Sequence, residues 1–174
     1  MRMLIVVDMQ NDFIDGVLGS ASALKIVDSV SQKIADYRDT KSPVIFTRDT
    51  HNGEYLKTQE GKNLPIPHCI HNTDGWNISS KLDARDSLIV DKQSFGSLDL
   101  AKAISGYEAL TEIELIGLCT DICVISNALI LKAAFPEVKI TVDASCCAGI
   151  TPESHKNALN SMKMCQVSVI NEEA

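Results

Sequence analysis

The sequence has little positive charge, no long apolar run and no internal repeat. Sixteen Lys and Arg residues stand against 23 Asp and Glu residues, which gives a net charge of −7. Without a basic cluster, this balance counts against nucleic acid as a partner. The apolar runs are far too short to span a bilayer, so we expect no association with a membrane. We also expect no nucleotide cofactor.

The six cysteines do not form a zinc ribbon or a thioredoxin-like redox motif, because no two of them have the Cys-x-x-Cys spacing. No signal-peptide pattern precedes the first apolar segment, residues 3–7. Free thiols in a reducing compartment are the simplest interpretation, and we expect a cytoplasmic protein. We interpret the adjacent Cys146 and Cys147 as small core or crevice residues instead of redox partners.

The order of apolar segments predicts an α/β protein. A length of 174 residues fits one domain, which we expect to span residues 1–174. Near-continuous apolar runs are typical of parallel strands covered on both faces, and they occur at 3–7, 43–47, 87–91, 112–117, 138–142 and 166–170. Helical spacing alternates with them at 23–39, 97–105, 121–134 and 152–164. This order predicts a three-layer α/β/α, Rossmann-like open parallel sheet of about six strands.

Residues 48–86 do not fit this alternation. They lack strong periodicity, and they contain three of the four histidines and the single tryptophan. Loops of this length in a compact domain are usually functional or disordered. The clustering of His51, His68 and Trp76 favours a functional loop.

The segment 115–128 predicts a buried strand, a tight turn and a helix that begins close to Cys123. If Thr120 is the N-cap, Cys123 lies in the first turn, near free backbone N–H groups and the positive end of the helix dipole. This environment favours a thiolate, which is the nucleophilic form of cysteine. Considered alone, the segment equally allows a small apolar residue that packs the helix on the sheet.

Two further chemical groups follow other predicted strands. Asp8 comes directly after the first strand, and Lys92 comes after the third. Side chains at the carboxyl ends of parallel strands meet in the crevice of an open α/β sheet. An acid, an amine and a thiol in that crevice would supply a base, a stabilising charge and a nucleophile. Taken singly, Asp8 could be a turn residue and Lys92 a solvated side chain.

Three motifs in this order resemble those of the isochorismatase-like cysteine hydrolases, the superfamily that includes the nicotinamidases. They are residues 8–13 (DMQNDF), Lys92 followed by Phe95, and residues 117–124 (GLCTDICV) with Ala128 beyond. The resemblance covers essentially the whole chain. It implies a hydrolase that releases ammonia from a small amide such as nicotinamide through a thioester.

The resemblance also implies a role for each site residue. Cys123 would be the nucleophile, Asp8 would accept and return its proton, and Lys92 would hold Asp8 and favour the thiolate. The backbone N–H groups of Cys119 and Cys123 would form the oxyanion hole, with a cis peptide between Leu118 and Cys119. We expect Asp121 to support the turn before Cys123.

In the nicotinamidases, an Asp-x-His pair and a further histidine bind a divalent metal beside the cysteine. The matching residues here are Asp49, His51 and His68, with Glu60 as our choice of fourth ligand and Glu54 as the alternative. Carboxylate and imidazole ligands suit Zn²⁺, Fe²⁺ or Mn²⁺. The alternative interpretation is a lid whose histidines are surface groups.

The substrate pocket departs from the family pattern. Phe13 matches a substrate-side aromatic residue. Gln10 is a candidate to orient the substrate or the acid, and the sequence equally allows an ordinary turn residue. An aromatic residue that commonly precedes the metal-binding histidine by three positions is replaced by Pro65.

The function therefore has alternatives within the same fold. A carbamoyl or ureido substrate, an isochorismatase-type reaction and a non-catalytic binding protein remain open. Resemblance to the family also makes a homo-oligomer our expectation.

Overall fold

The computed structural model describes residues 1–172 and contains a six-stranded parallel sheet. The strands are β1 (Arg2–Val7), β2 (Val44–Asp49), β3 (Leu88–Lys92), β4 (Glu112–Leu118), β5 (Lys139–Ala148) and β6 (Ser168–Ile170). The helices are α1 (Asn11–Ile14), α2 (Ala21–Asp39), α3 (Gln59–Asn63), α4 (Leu98–Ile104), α5 (Ile125–Ala134) and α6 (Pro152–Met164). The predicted open parallel α/β sheet is confirmed.

Alternation along the buried strands divides the core into two layers. In β1, Leu4 and Val6 pack against the apolar face of α2, while Met3, Ile5 and Val7 point to the opposite side. That second layer is completed by apolar residues of α4, α5 and α6, among them Leu100, Leu131, Leu159 and Met162. Both faces of the sheet are therefore covered, as the continuous apolar runs predict.

The strand order β3-β2-β1-β4-β5-β6 places a crevice next to β1. The chain builds the sheet outward from β1 to β3, and it then crosses to the other side of β1 to form β4. Ligands of open α/β sheets bind at such a reversal, beyond the carboxyl ends of the strands. Residues that follow β1, β2, β3 and β4 are therefore brought to one edge.

Gly117 redirects β4 toward this edge. Its φ is +115°, and a Cβ at this position would lie 2.1 Å from the carbonyl oxygen of Val7. Only glycine allows this conformation and this close approach. The β4–β5 register shifts between Leu115 and Gly117, which lets β5 continue alongside β4 as far as Ala148. The predicted end of β5 near 142 is therefore wrong, and Cys146 and Cys147 lie buried within the strand.

The long connection between β2 and β3 is mostly irregular. It contains a 3₁₀ turn at Tyr55–Lys57 and the short helix α3, which begins where the Thr58 side chain accepts a hydrogen bond from Gly61 N–H. Within residues 1–172, no helix combines the length and the hydrophobicity that crossing a membrane requires.

Candidate active site

Asp8, Lys92 and Cys123 meet at the carboxyl edge of the sheet. Lys92 Nζ lies 2.7 Å from Asp8 Oδ2 and 3.5 Å from Cys123 Sγ. All three side chains are buried. The structure thus brings together an acid, an amine and a thiol from the carboxyl ends of three separate strands, and Lys92 is neither solvated nor peripheral.

Asp8 is held in place by the neighbouring strand β2. The Thr47 hydroxyl donates to Asp8 Oδ1 at 2.7 Å, and the Asp8 backbone adopts a positive φ of 47° as it leaves β1. Burial raises the pKa of the Asp8 carboxyl, while the Lys92 ammonium acts in the opposite direction. The carboxyl therefore has one neutral and one charged partner.

Lys92 is shared between two carboxylates. Besides Asp8, its ammonium contacts Asp49 Oδ1 at 3.1 Å. Burial acts to lower the pKa of Lys92, but the electrostatic effect of the acidic groups Asp8, Cys123 and Asp49 raises it well above its ordinary value. The side chain is thus a cation held at the centre of three acidic groups.

Cys123 lies in a different helical turn from the one predicted. A π-helical turn spans Thr120–Val124, its N-cap is Cys119, and α5 begins only at Ile125. Burial raises the pKa of the Cys123 thiol well above its usual range, and the Lys92 ammonium acts against this effect. Desolvation of the buried thiol therefore opposes the thiolate that the sequence predicts, and the Lys92 ammonium is the group that favours it.

Thr120 and Asp121 anchor the turn to helix α6. The predicted role of Thr120 as N-cap is wrong, since its hydroxyl lies 2.8 Å from His155 Nδ1 instead of capping the turn. Asp121 accepts hydrogen bonds from Ile150 N–H and from the Ser154 hydroxyl. The expected support of the turn by Asp121 is confirmed.

The backbone just before this turn has the expected unusual geometry. The peptide bond between Leu118 and Cys119 is cis. The N–H of Cys119 has no hydrogen-bond acceptor within residues 1–172. It is therefore available to a bound group beside Cys123.

Four predicted ligands form a second cluster next to Lys92. The possible ligand atoms of Asp49, His51, Glu60 and His68 all lie within 4.8 Å of one another. Two imidazoles and two carboxylates suit a divalent transition metal. The alternative acid, Glu54, is exposed and forms an ion pair with Lys57 instead. Of the two glutamates, the structure thus brings Glu60 to the cluster.

The orientation of His68 fits a ligand role. Its Nδ1 lies 2.8 Å from the Ile66 carbonyl oxygen, which can only accept, so Nδ1 carries a proton and Nε2 is the ring nitrogen that faces the cluster. His68 Nε2 lies 3.5 Å from Asp49 Oδ2 and 3.7 Å from Glu60 Oε1. A hydrogen-bonded outer nitrogen of this kind is typical of metal-binding histidines.

Asp49 connects the two clusters through its two oxygens. Oδ1 contacts Lys92, and Oδ2 lies 2.9 Å from His51 Nε2. Burial acts to raise the pKa of Asp49, but hydrogen bonds from His51 and His68 hold it well below its usual range. Burial acts to lower the pKa of His51, but hydrogen bonds to Asp49 and Glu60 raise it to about 9. The carboxylate is therefore ionised and bridges the triad and the histidines.

The two candidate substrate residues have different environments. Phe13 is partly buried, and its ring centroid lies 5.5 Å from that of His68. Gln10 is fully buried, and its side chain bonds to the backbone of Asp49 and Trp76. Trp76, further along the chain, packs against Arg48 and donates its indole N–H to the Thr50 hydroxyl.

Two residues of the site are absent from the sequence predictions. One is Thr47, which could have been recognised from its position two residues before Asp49, on the same face of β2. The other is Tyr55, whose ring is buried against both His51 and His68 at centroid distances of 4.7 and 5.0 Å. Tyr55 begins a 3₁₀ turn of three residues, which is too short for a periodic pattern to indicate the direction of its side chain.

The chain is similar over almost its whole length to several named proteins. The chain is 28% identical to a nicotinamidase of Schizosaccharomyces pombe, over 97% of this chain and 92% of the relative. It is 26% identical to a nicotinamidase/pyrazinamidase of Mycobacterium tuberculosis, over 98% of both chains. The crystal structure of a pyrazinamidase of Pyrococcus horikoshii in complex with zinc superposes with a TM-score of 0.85 at 26% identity, over 98% of this chain and 99% of the other.

A family model also matches almost the whole chain. The model described as "Isochorismatase domain" matches residues 2–174. The chain therefore belongs to the isochorismatase domain family.

Proposed function

We propose that the protein is a cysteine-dependent amidohydrolase that releases ammonia from a small amide such as nicotinamide. The observation that carries this proposal is the buried contact of Lys92 with both Asp8 and Cys123, directly beside the cluster of Asp49, His51, Glu60 and His68. The relatives named nicotinamidase and pyrazinamidase support the hydrolysis of an amide carbon–nitrogen bond.

The reaction begins with proton transfer inside the triad. Asp8 takes the proton from Cys123 Sγ, and the thiolate attacks the amide carbon to form a carbon–sulfur bond. Burial raises the pKa of the Asp8 carboxyl, which makes it a stronger base for the thiol proton, and both groups are buried, so the proton does not enter bulk water. The Lys92 ammonium stabilises the negative charge throughout.

The amide oxygen becomes an oxyanion in this step. The N–H groups of Cys119 and Cys123 donate to it, and two such donors typically contribute a few kcal/mol in the transition state. Collapse of the tetrahedral species breaks the carbon–nitrogen bond, and Asp8 returns its proton to the departing ammonia. A water molecule, deprotonated by Asp8, then attacks the thioester, and the carbon–sulfur bond breaks to give the acid and the free thiol.

We further propose that Asp49, His51, Glu60 and His68 bind a divalent transition metal. When bound, the ion would supply Lewis acidity that orients and polarises the substrate beside Cys123. The protonated Nδ1 of His68 and the ionised Asp49 prepare this donor set for a cation. Phe13 would form one wall of the adjoining substrate pocket.

Cys123→Ala should lower ammonia release from nicotinamide by at least about 10³-fold, because no other group supplies the nucleophile. The melting temperature should change little, since the substitution removes a single buried sulfur. The matched control is Cys165→Ala, which alters an exposed cysteine far from the triad and should keep full activity. Wild-type activity in Cys123→Ala would refute the nucleophile assignment. The assignment of a small amide as substrate would be refuted if the wild-type enzyme released ammonia only from carbamoyl amino acids or ureides.

Thr47→Val removes the hydroxyl that donates to Asp8 and keeps the shape of the side chain. We expect kcat to fall by roughly tenfold to a hundredfold, as for the loss of one hydrogen bond to a buried charged group. Thr141→Val is the control, because the Thr141 hydroxyl also donates to a carboxylate, Glu112, but at the opposite end of the sheet. Steady-state kinetics that show equal kcat values for the two variants would argue against the role of Thr47.

Glu60→Gln should weaken zinc binding by at least about tenfold, since changes even beyond the direct ligands commonly have that effect. Competition with a chromophoric chelator measures the affinity of protein purified without a histidine tag. Glu54→Gln removes the same charge from the neighbouring acid and should bind zinc as the wild type does. Equal affinities of the wild type and Glu60→Gln would exclude Glu60 as a ligand.

A further inference from the structure

Gln10 comes just before α1, and Asn11 and Asp12 are the first two residues of that helix; we call this three-residue segment the clasp. It lies between the catalytic Asp8 and Phe13, yet none of its side chains takes part in the proposed reaction. Its hydrogen bonds instead go to Asp49 at the end of β2 and to the connection between β2 and β3, which carries the other three candidate metal ligands. Asn11 illustrates this, because its backbone N–H donates to the Asn77 carbonyl and its side chain donates to the Asp74 carbonyl.

Gln10 holds the backbone of Asp49. Its Oε1 accepts from Asp49 N–H at 2.7 Å, and its Nε2 donates to the carbonyl oxygens of Asp49 and Trp76 at 2.9 Å each. The side chain is fully buried. Both ends of the amide are thus committed to the backbone, which leaves Gln10 no free group for a substrate and fixes Asp49 on both of its peptide groups.

Asp12 holds the residue that follows His68. Its Oδ2 accepts from Cys69 N–H at 2.7 Å, where the backbone of Cys69 has a positive φ of 46°. The carbonyl oxygen of Cys69 in turn accepts from His51 N–H at 3.0 Å. One carboxylate therefore fixes a short backbone path that joins two of the imidazoles.

Gly75 packs directly on the Asp12 carboxylate. Asp12 N–H donates to the Gly75 carbonyl at 3.0 Å, and a Cβ at Gly75 would lie 2.2 Å from the carboxylate atoms. A methyl group there would push the Asp12 side chain away from Cys69. A substitution at either Asp12 or Gly75 can therefore break this contact.

We propose that Gln10 and Asp12 are positioning residues that hold Asp49 and His68 in place for metal binding. This inference rests on the metal site of the proposed function. Gln10 acts on the first ligand through its backbone, and Asp12 acts on the histidine through the next residue. Outer groups of this kind orient ligands and are worth about tenfold to a hundredfold in metal affinity.

The test measures zinc affinity of the full chain by chelator competition, together with the melting temperature of the zinc-free protein. Gly75→Ala, Asp12→Ala and Gln10→Ala should each weaken zinc binding by about tenfold or more. Asp12→Asn keeps an oxygen acceptor for Cys69 N–H and should retain most of the affinity. Gly53→Ala introduces the same methyl group in the same loop, where it meets no atom within 4 Å, and should bind zinc normally.

The double variant separates this contact from a general loosening of the fold. Gly75→Ala added to Asp12→Ala should cause no further loss, because both substitutions break one contact. If Asp12→Ala does not fold, the zinc affinities of Gly75→Ala and Gly53→Ala are compared instead. Wild-type zinc affinity in Gly75→Ala, with zinc bound by the wild type, would overturn the clasp and leave the metal site standing. A wild type that binds no zinc would overturn both.

Discussion

The site depends on one buried ammonium group. Lys92 contacts Asp8, Asp49 and Cys123, and each of these groups is removed from water. Two carboxylates could not remain ionised in such a place without a cation, because burial alone disfavours their charge. The strand order supplies the geometry, since β3 and β1 flank β2 and their carboxyl ends meet at one edge.

The same ammonium joins the triad to the histidine cluster. Asp49 faces Lys92 with one oxygen and His51 with the other, so the two halves of the site share a carboxylate. A displacement of Asp49 would therefore affect both the charge around Cys123 and the proposed metal ligands. This explains why so many backbone contacts converge on the segment around Asp49, including those of the clasp.

The positions at the strand ends were the most predictable part of the site. Asp8, Lys92 and Cys123 could be found because parallel strands have a simple apolar signature and their ends share an edge. The choice of Glu60 over Glu54 needed the structure, since both acids lie in backbone without periodicity. The hydrogen-bond partners of Thr120 and Gln10 also could not be predicted from the sequence. A hydroxyl or an amide has several possible partners, and only the fold selects among them. The single domain, the homo-oligomer and the cytoplasmic location stay predictions.

The central claim is that Cys123 forms a covalent bond with the acyl group of the substrate. Rapid quenching in acid during turnover of nicotinamide, followed by mass spectrometry of the intact protein and its peptides, tests this claim directly. We expect a mass increase equal to one nicotinoyl group, located on the peptide that contains Cys123 and absent from Cys123→Ala. Turnover without any adduct at early times, or an adduct located on another cysteine such as Cys119 or Cys69, would contradict the account.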